Sequence, residues 1–218
     1  MHKEVKAVIF DFDGLMAETE EISTRAWDRI AEEYGITIGS EYYSRVRGTN
    51  YEGGKRVFLE LYGSDMPYDR IKKEKNAYFA EDVDKNGIGK KKGLDELLEY
   101  IDAHGIAKAI ASGSTADYVK KCSEIAKINS AFSVIIGGDM VSRGKPDPEI
   151  FCKAADMLGM PYENCLVLED SINGAEAALA GGFQIIVVPD SVQPPEDLVR
   201  RINARCDTLY GVIDYLKN

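Results

Sequence analysis

Hydrophobic and polar positions follow two rhythms along this chain. Residues 5–10 form a short apolar run that stops at Asp-Phe-Asp-Gly, the pattern of a buried strand followed by a turn. Between residues 18 and 86 the period becomes helical. Ile22, Ala26, Ile30 and Tyr34 share one face, Val57 and Leu61 follow later, and the stretch predicts three or four helices and no strand. From residue 93 onward strand and helix patterns take turns. Leu94, Leu97, Leu98 and Ile101 mark one helix face, which Gly105 ends. Residues 106–111 read as a strand, 115–126 as a helix and 132–136 as a strand. Asp147 as N-cap, with Pro148 in the first helical position, opens a helix through Leu158. Residues 165–168, 172–180 and 184–188 add a strand, a helix and a strand.

Such alternation predicts an α/β protein with a Rossmann-like parallel-sheet core and helices on both faces. The first strand precedes the helical block and the others follow it. The expected organisation is therefore a core of residues 1–16 and 89–218 with an inserted helical cap domain at 17–88. In sheets of this kind ligands bind outside the carboxyl ends of the strands.

Composition narrows the function. The 218 residues are 44% hydrophobic and carry 27 Lys plus Arg against 37 Asp plus Glu, a formal charge of −10. That balance repels polyphosphate backbones and anionic lipid, so neither nucleic acid nor a membrane is expected as a partner. No run approaches the length of a membrane span, and the apolar stretch at residues 7–10 is too short for a signal peptide. Cys122, Cys152, Cys165 and Cys206 show no zinc spacing and are expected as buried thiols in a reducing cytoplasm. With only His2 and His104, a histidine metal site or a Ser-His-Asp triad is excluded.

Three strand ends and one loop carry the candidate chemistry. The first closes on Asp11-Phe12-Asp13-Gly14, two acids that need a cation or a proton to share one edge. The second closes on Ala111-Ser112-Gly113-Ser114 ahead of a helix, where backbone N–H groups and a hydroxyl suit an anion, although such residues also serve as plain helix caps. Lys145 lies in a loop stiffened by Pro146 and Pro148. Leu168-Glu169-Asp170-Ser171 brings a second acidic pair to the same rim. Up to four carboxylates there call for a hard cation, and oxygen ligands with open positions suit Mg²⁺. A carboxylate nucleophile, a second carboxylate, a hydroxyl-and-amide cradle, a lysine and a metal pair are the parts of phosphoryl transfer through an aspartyl phosphate.

In these four motifs the chain resembles the haloacid dehalogenase superfamily of phosphotransferases, over essentially its whole length. Arg25-Ala26-Trp27, Asn173-Gly174-Ala175 and Val187-Val188-Pro189 look like its beta-phosphoglucomutase-like and sugar-phosphate phosphatase branch. The resemblance implies that Asp11 is the nucleophile and that Asp13 is the acid and base. It further implies that Mg²⁺ is held by Asp11, Asp170 and the Asp13 main-chain carbonyl, with Glu169 ligating or supporting. Ser112 and the Gly113 N–H would hold the transferring phosphate, Lys145 would screen its charge, and the enzyme would be a monomer acting on a small phosphate ester.

The resemblance leaves two activities open, a phosphatase and a hexose-phosphate mutase. Mutases of the branch carry a His where Ser23 stands and an Arg soon after the equivalent of Gly48. Here Thr49, Asn50 and Tyr51 follow, with Arg45 and Arg47 in front of the glycine and Lys55 behind it. Ser cannot do the proton work of His, nor Tyr neutralise a second phosphate, so the phosphatase is preferred. A dehalogenase needs neither Asp13 nor the Glu169–Asp170 pair. A phosphorylated receiver domain would lack the helical insertion, and a non-catalytic binder would be expected to lack Asp11 or Asp13.

Overall fold

The computed structural model describes residues 4–128, 132–190 and 192–217; His2 lies outside them. Its six strands form one parallel sheet in the order β3-β2-β1-β4-β5-β6. They are β1 (Ala7–Phe10), β2 (Ala107–Ser112), β3 (Val134–Gly137), β4 (Cys165–Glu169), β5 (Gln184–Val187) and the two-residue β6 (Ala204–Arg205). Ala7 of β1 pairs with Ala107 on one side and Cys165 on the other, so the first strand made is the central one.

Period-two alternation along the buried strands feeds two cores. Val8, Phe10, Leu166, Leu168 and Ile186 point to one side, where α5 (Leu94–Ala103), α6 (Ala116–Ile125) and α10 (Leu209–Leu216) cover them. Ala7, Ile9, Cys165, Val167 and Ile185 point to the other, beneath α7 (Glu149–Leu158), α8 (Ile172–Ala180) and the short α9 (Glu196–Val199). The parallel sheet with helices on both faces is as expected from the sequence.

Four helices interrupt this core after β1: α1 (Glu20–Tyr34), α2 (Ser40–Val46), α3 (Tyr51–Tyr62) and α4 (Tyr68–Asn86). Trp27, Ile30, Tyr42, Val57, Phe58, Tyr68 and Ile71 make a third cluster of their own, with Trp27 stacked on Phe58. Near the start of α1 and towards the end of α4, Ile22, Ala26, Phe79 and Val83 join the first core. The two crossovers run side by side: Ala17 pairs antiparallel with Lys90, Glu18 N–H donates to Gly89 O, and Lys91 N–H donates to Met16 O.

Several boundaries differ from those expected. β1 starts at Ala7, because Val5 is only partly buried and lies outside the ladder. The helix expected to open with Pro148 at its first position begins at Glu149. Pro148 is its capping residue, and Asp147 Oδ1 accepts the Glu149 N–H at 3.0 Å from one residue farther out. Cys152 and Cys206 are half-buried, unlike Cys122 and Cys165, and all four are free thiols. No helix among the described residues is long and apolar enough to cross a membrane.

Candidate active site

The carboxyl ends of β1, β2 and β4 lie side by side at the centre of the sheet, so Asp11, Ser112 and Glu169 meet although 158 residues separate the first from the last. Asp11 is held at the end of β1 by its own N–H, which donates to Leu168 O at 2.9 Å. Lys145 arrives from the loop between β3 and α7. That loop is pinned by Glu149, whose carboxylate accepts the Ser142 and Arg143 N–H groups. The Lys145 side chain is 0% exposed, its ammonium 4.8 Å from the centre of the Phe151 ring. It donates to Asp11 Oδ1 at 2.5 Å, Glu169 Oε1 at 2.6 Å and Ala111 O at 3.3 Å.

Glu169 is saturated. Its Oε2 accepts from Asp170 N–H, Ser171 N–H and Ser171 Oγ at 2.8–2.9 Å, while Oε1 receives Lys145. A Cβ on Gly174 would overlap this carboxylate, which explains the glycine in Asn173-Gly174-Ala175. Asn173 does something different. Its Nδ2 donates to Arg47 O at 2.8 Å and ties the loop after α2 to the core.

Asp11, Glu169 and Asp170 bring carboxylate oxygens within 4.8 Å of one another, all three buried. Burial pushes the Asp11 carboxyl up from 3.8 to about 8 against the pull of Lys145, and burial followed by the Glu169 charge raises Asp170 well above its usual range. Lys145 is held protonated: the charges of Asp11 and Glu169 outweigh a burial that alone would lower it. Among the described residues no donor is hydrogen-bonded to the Asp170 carboxylate. Three buried carboxylates against one ammonium leave a site that a hard divalent cation with oxygen ligands fits.

Asp13 stands apart from that cluster. Its Oδ1 accepts from Thr19 Oγ1 at 2.8 Å and Tyr118 OH at 3.0 Å, and its Oδ2 from Ser114 Oγ at 2.7 Å and Ser112 Oγ at 3.3 Å. Ser112 Oγ in turn accepts the Ser114 N–H. Gly113 lies directly beneath the carbonyls of Gly48 and Thr49, so the loop between α2 and α3 rests on the small-residue turn after β2.

A cleft of about 240 Å³ opens between this rim and the helical block. Asp11, Asp13, Ser112, Gly113 and Asp170 line its floor; Ser23, Arg47, Lys72 and Lys75 line its upper wall. Arg47 donates to Glu20 there at 3.0 Å. Arg45 and Lys55 are engaged elsewhere, with Glu60 and Asp69. Tyr42 is buried in the helical cluster, and Tyr51, exposed at the cleft, donates its hydroxyl to Asp69.

The seven residues singled out in the sequence thus share one site, in two groups: Lys145 with Asp11, Glu169 and Asp170, and Asp13 with Ser112 beside Gly113. The motifs include Ser114 but not Thr19, Tyr118, Lys72 or Lys75. Lys75 did leave a trace, since it interrupts the apolar stripe Ile71, Phe79, Val83 of α4.

A family model described as "Haloacid dehalogenase-like hydrolase" matches residues 8–188. The chain is 32% identical over 194 residues to a protein named probable pseudouridine-5'-phosphatase of Drosophila melanogaster, covering 86% of this chain and 83% of that one. It is 31% identical over 186 residues to a phosphorylated carbohydrates phosphatase of Thermotoga maritima, covering 84% of each. Among solved structures, CbbY of Rhodobacter sphaeroides in complex with xylulose-1,5-bisphosphate superposes with a TM-score of 0.81 at 27% identity, over 94% of both chains. The chain belongs to the haloacid dehalogenase-like hydrolase family.

Proposed function

We propose that this hydrolase is a Mg²⁺-dependent phosphatase of small phosphate monoesters, sugar phosphates foremost, that works through a phosphorylated Asp11. The observation that carries the proposal is the placement of Asp11: a buried carboxylate held by Lys145, beside two further acids, on the floor of a cleft whose other acid, Asp13, sits among hydroxyls. The relatives named as phosphatases, one of phosphorylated carbohydrates, support the same chemistry.

In this proposal residues 17–88 form the cap over a core of 1–16 and 89–218. Ser112 Oγ and the Gly113 N–H hold the phosphoryl oxygens of the bound ester, and Lys145 offsets the charge between them and Asp11. An Asp11 oxygen attacks phosphorus as the ester P–O bond breaks, and Asp13 gives its proton to the departing oxygen. A water molecule then loses a proton to Asp13 and attacks the same phosphorus, which frees Asp11 and releases inorganic phosphate. Bound Mg²⁺ would neutralise charge on the carboxylates and the phosphate; Asp11, Asp170 and the Asp13 carbonyl would hold it, with Glu169 in support. Ser23 on the cleft wall, in place of the mutase histidine, favours water over a second sugar as acceptor.

The test follows inorganic phosphate and glucose 6-phosphate in one tube containing Mg²⁺, beta-glucose 1-phosphate and a trace of glucose 1,6-bisphosphate. The same mixture with Asp11→Asn and with excess chelator supplies the controls. Phosphate release that both controls abolish is expected. Rapid glucose 6-phosphate with little free phosphate would make the enzyme a mutase, and full turnover by Asp11→Asn would remove the nucleophile from the mechanism.

A further inference from the structure

The loop between α2 and α3, residues 47–50, meets the core at three places, each beside a group of the proposed site. Gly48 lies over Ser171 and the stem of Lys145: a Cβ there would come 2.7 Å from Ser171 Oγ and 3.5 Å from Lys145 Cδ. Its φ of +74° calls for glycine as well. The Gly48 and Thr49 carbonyls rest on Gly113, next to Ser112. Asn50 lies against Gly144, next to Lys145, where a Cβ would come 2.6 Å from its Cγ. The loop thus roofs the hydroxyl, the amide and the ammonium assigned to the reacting phosphate.

Asn173, in the first turn of α8, anchors this roof from the core. Its Nδ2 donates to Arg47 O at 2.8 Å and reaches Arg45 O at 3.4 Å. Among the described residues no other core residue is hydrogen-bonded to residues 45–50. Both carbonyls lie at the end of α2, where a helix has run out of N–H groups of its own. The donor that serves the Arg47 carbonyl therefore comes from 126 positions farther along the chain. It also comes from the segment that presents the acids, since Asn173 directly follows Glu169-Asp170-Ser171-Ile172. One short stretch carries two acids of the site and the anchor of its roof.

We infer that Asn173 is a positioning residue of the reaction: it keeps residues 47–50 seated over the phosphate cradle and so tightens the binding of phosphate esters without touching them. This rests on the phosphatase reading of that cradle. When a binding-competent form is only a fraction of the molecules, the apparent affinity falls by that fraction, while saturating ligand restores the form. Loss of the anchor therefore raises KM and spares kcat.

The experiment compares wild type, Asn173→Ala and Asn173→Asp with Mg²⁺, well below their melting temperatures. It measures kcat and KM for p-nitrophenyl phosphate, the dissociation constant of inorganic phosphate by calorimetry, and amide hydrogen exchange by mass spectrometry. In Asn173→Ala, KM and the phosphate constant are expected to rise together by about 5–10-fold, the worth of one hydrogen bond, with kcat within about twofold. Asn173→Asp, of the same shape but with a carboxylate facing two carbonyls, should be affected more. Exchange should quicken in peptides covering residues 43–54 and not in those from α4. A lower melting temperature with KM and the phosphate constant unchanged would make the contact merely structural and overturn the inference. A fall in kcat at unchanged KM would also overturn it, routing the effect through Glu169 and Asp170. Should neither variant fold, the wild type decides: inorganic phosphate with Mg²⁺ is expected to slow exchange at residues 43–54, and no slowing would overturn the inference. If the wild type hydrolyses no ester, the phosphatase reading fails by itself. The phosphate constant and the exchange rates then still decide whether Asn173 seats the loop.

Discussion

Tyr118 donates its phenolic hydrogen to Asp13 Oδ1 at 3.0 Å, and the same ring packs against Phe79 of α4 with centroids 5.5 Å apart. One side chain of the core thus touches both the proposed acid and a helix of the proposed cap. Removing the hydroxyl while keeping the ring leaves Asp13 with three donors and the Phe79 contact intact. Tyr118→Phe is expected to lower kcat by about 5–10-fold, the worth of one hydrogen bond, with little change in KM or melting temperature. Steady-state kinetics checks this; a loss confined to KM would place Tyr118 in substrate binding instead.

Among the described residues, Lys145 supplies the only ammonium in contact with the buried acids Asp11 and Glu169. Lys145→Met leaves them uncompensated, an error that costs roughly 3–5 kcal/mol in buried pairs. The variant should fall at least about 100-fold in kcat. Its melting temperature should drop without metal and recover more on adding Mg²⁺ than the wild type gains. Equal Mg²⁺ responses in the two proteins would separate the lysine from the metal site.

Metal-free stability should fall as pH rises. Asp11 has a folded pKa of about 8 against an ordinary 3.8, and Asp170 shifts in the same direction. A carboxyl raised in the folded state binds its proton more tightly there, so its contribution is complete below the unfolded value and disappears on passing the folded one. Between about pH 4 and 8 the chelated protein should therefore lose melting temperature. Mg²⁺, which needs ionised carboxylates, should stabilise more as pH increases. Thermal melts across that range with chelator and with Mg²⁺ test the sign.

Gly174→Ala is expected to act at a distance from the substrate. Its new methyl would collide with Glu169, displacing the carboxylate that fixes Lys145. Both stability and kcat should decline, by more than the small change normal for glycine to alanine within a helix. A variant as active and as stable as the wild type would show that Glu169 can move freely.

The core and most of the reacting groups were legible because β1, β2 and β4 are short apolar runs that each end in a chemical group, and parallel topology collects those ends. The helical block was visible as period alone. Tyr118 and Thr19 carry no local mark of their role, since their contact with Asp13 spans 105 and 6 residues and depends on how α6 and the first crossover are set. Lys75 was hidden in a different way: a lysine in a charged helix looks solvated until packing shows that its neighbours on that face are Ile71 and Phe79. Beyond Val188, Leu209, Val212, Ile213 and Leu216 of α10 do stand at helical spacing, whereas α9 and β6, of four and two residues, are too short to show a period.

The central position of β1 also bears on how the molecule is born. As the chain leaves the ribosome, Ala7–Phe10 precedes its partners: β2 and β4 follow about a hundred and about a hundred and sixty residues later. The helices between β1 and β2 can build their aromatic cluster from sequence-local pieces while the strand waits. The proposed nucleophile therefore precedes both strands that flank it and acquires its surroundings only when the second of them arrives. In the proposed mechanism a product that stops before β4 would hold Asp11 but lack Glu169 and Asp170, and would be inactive.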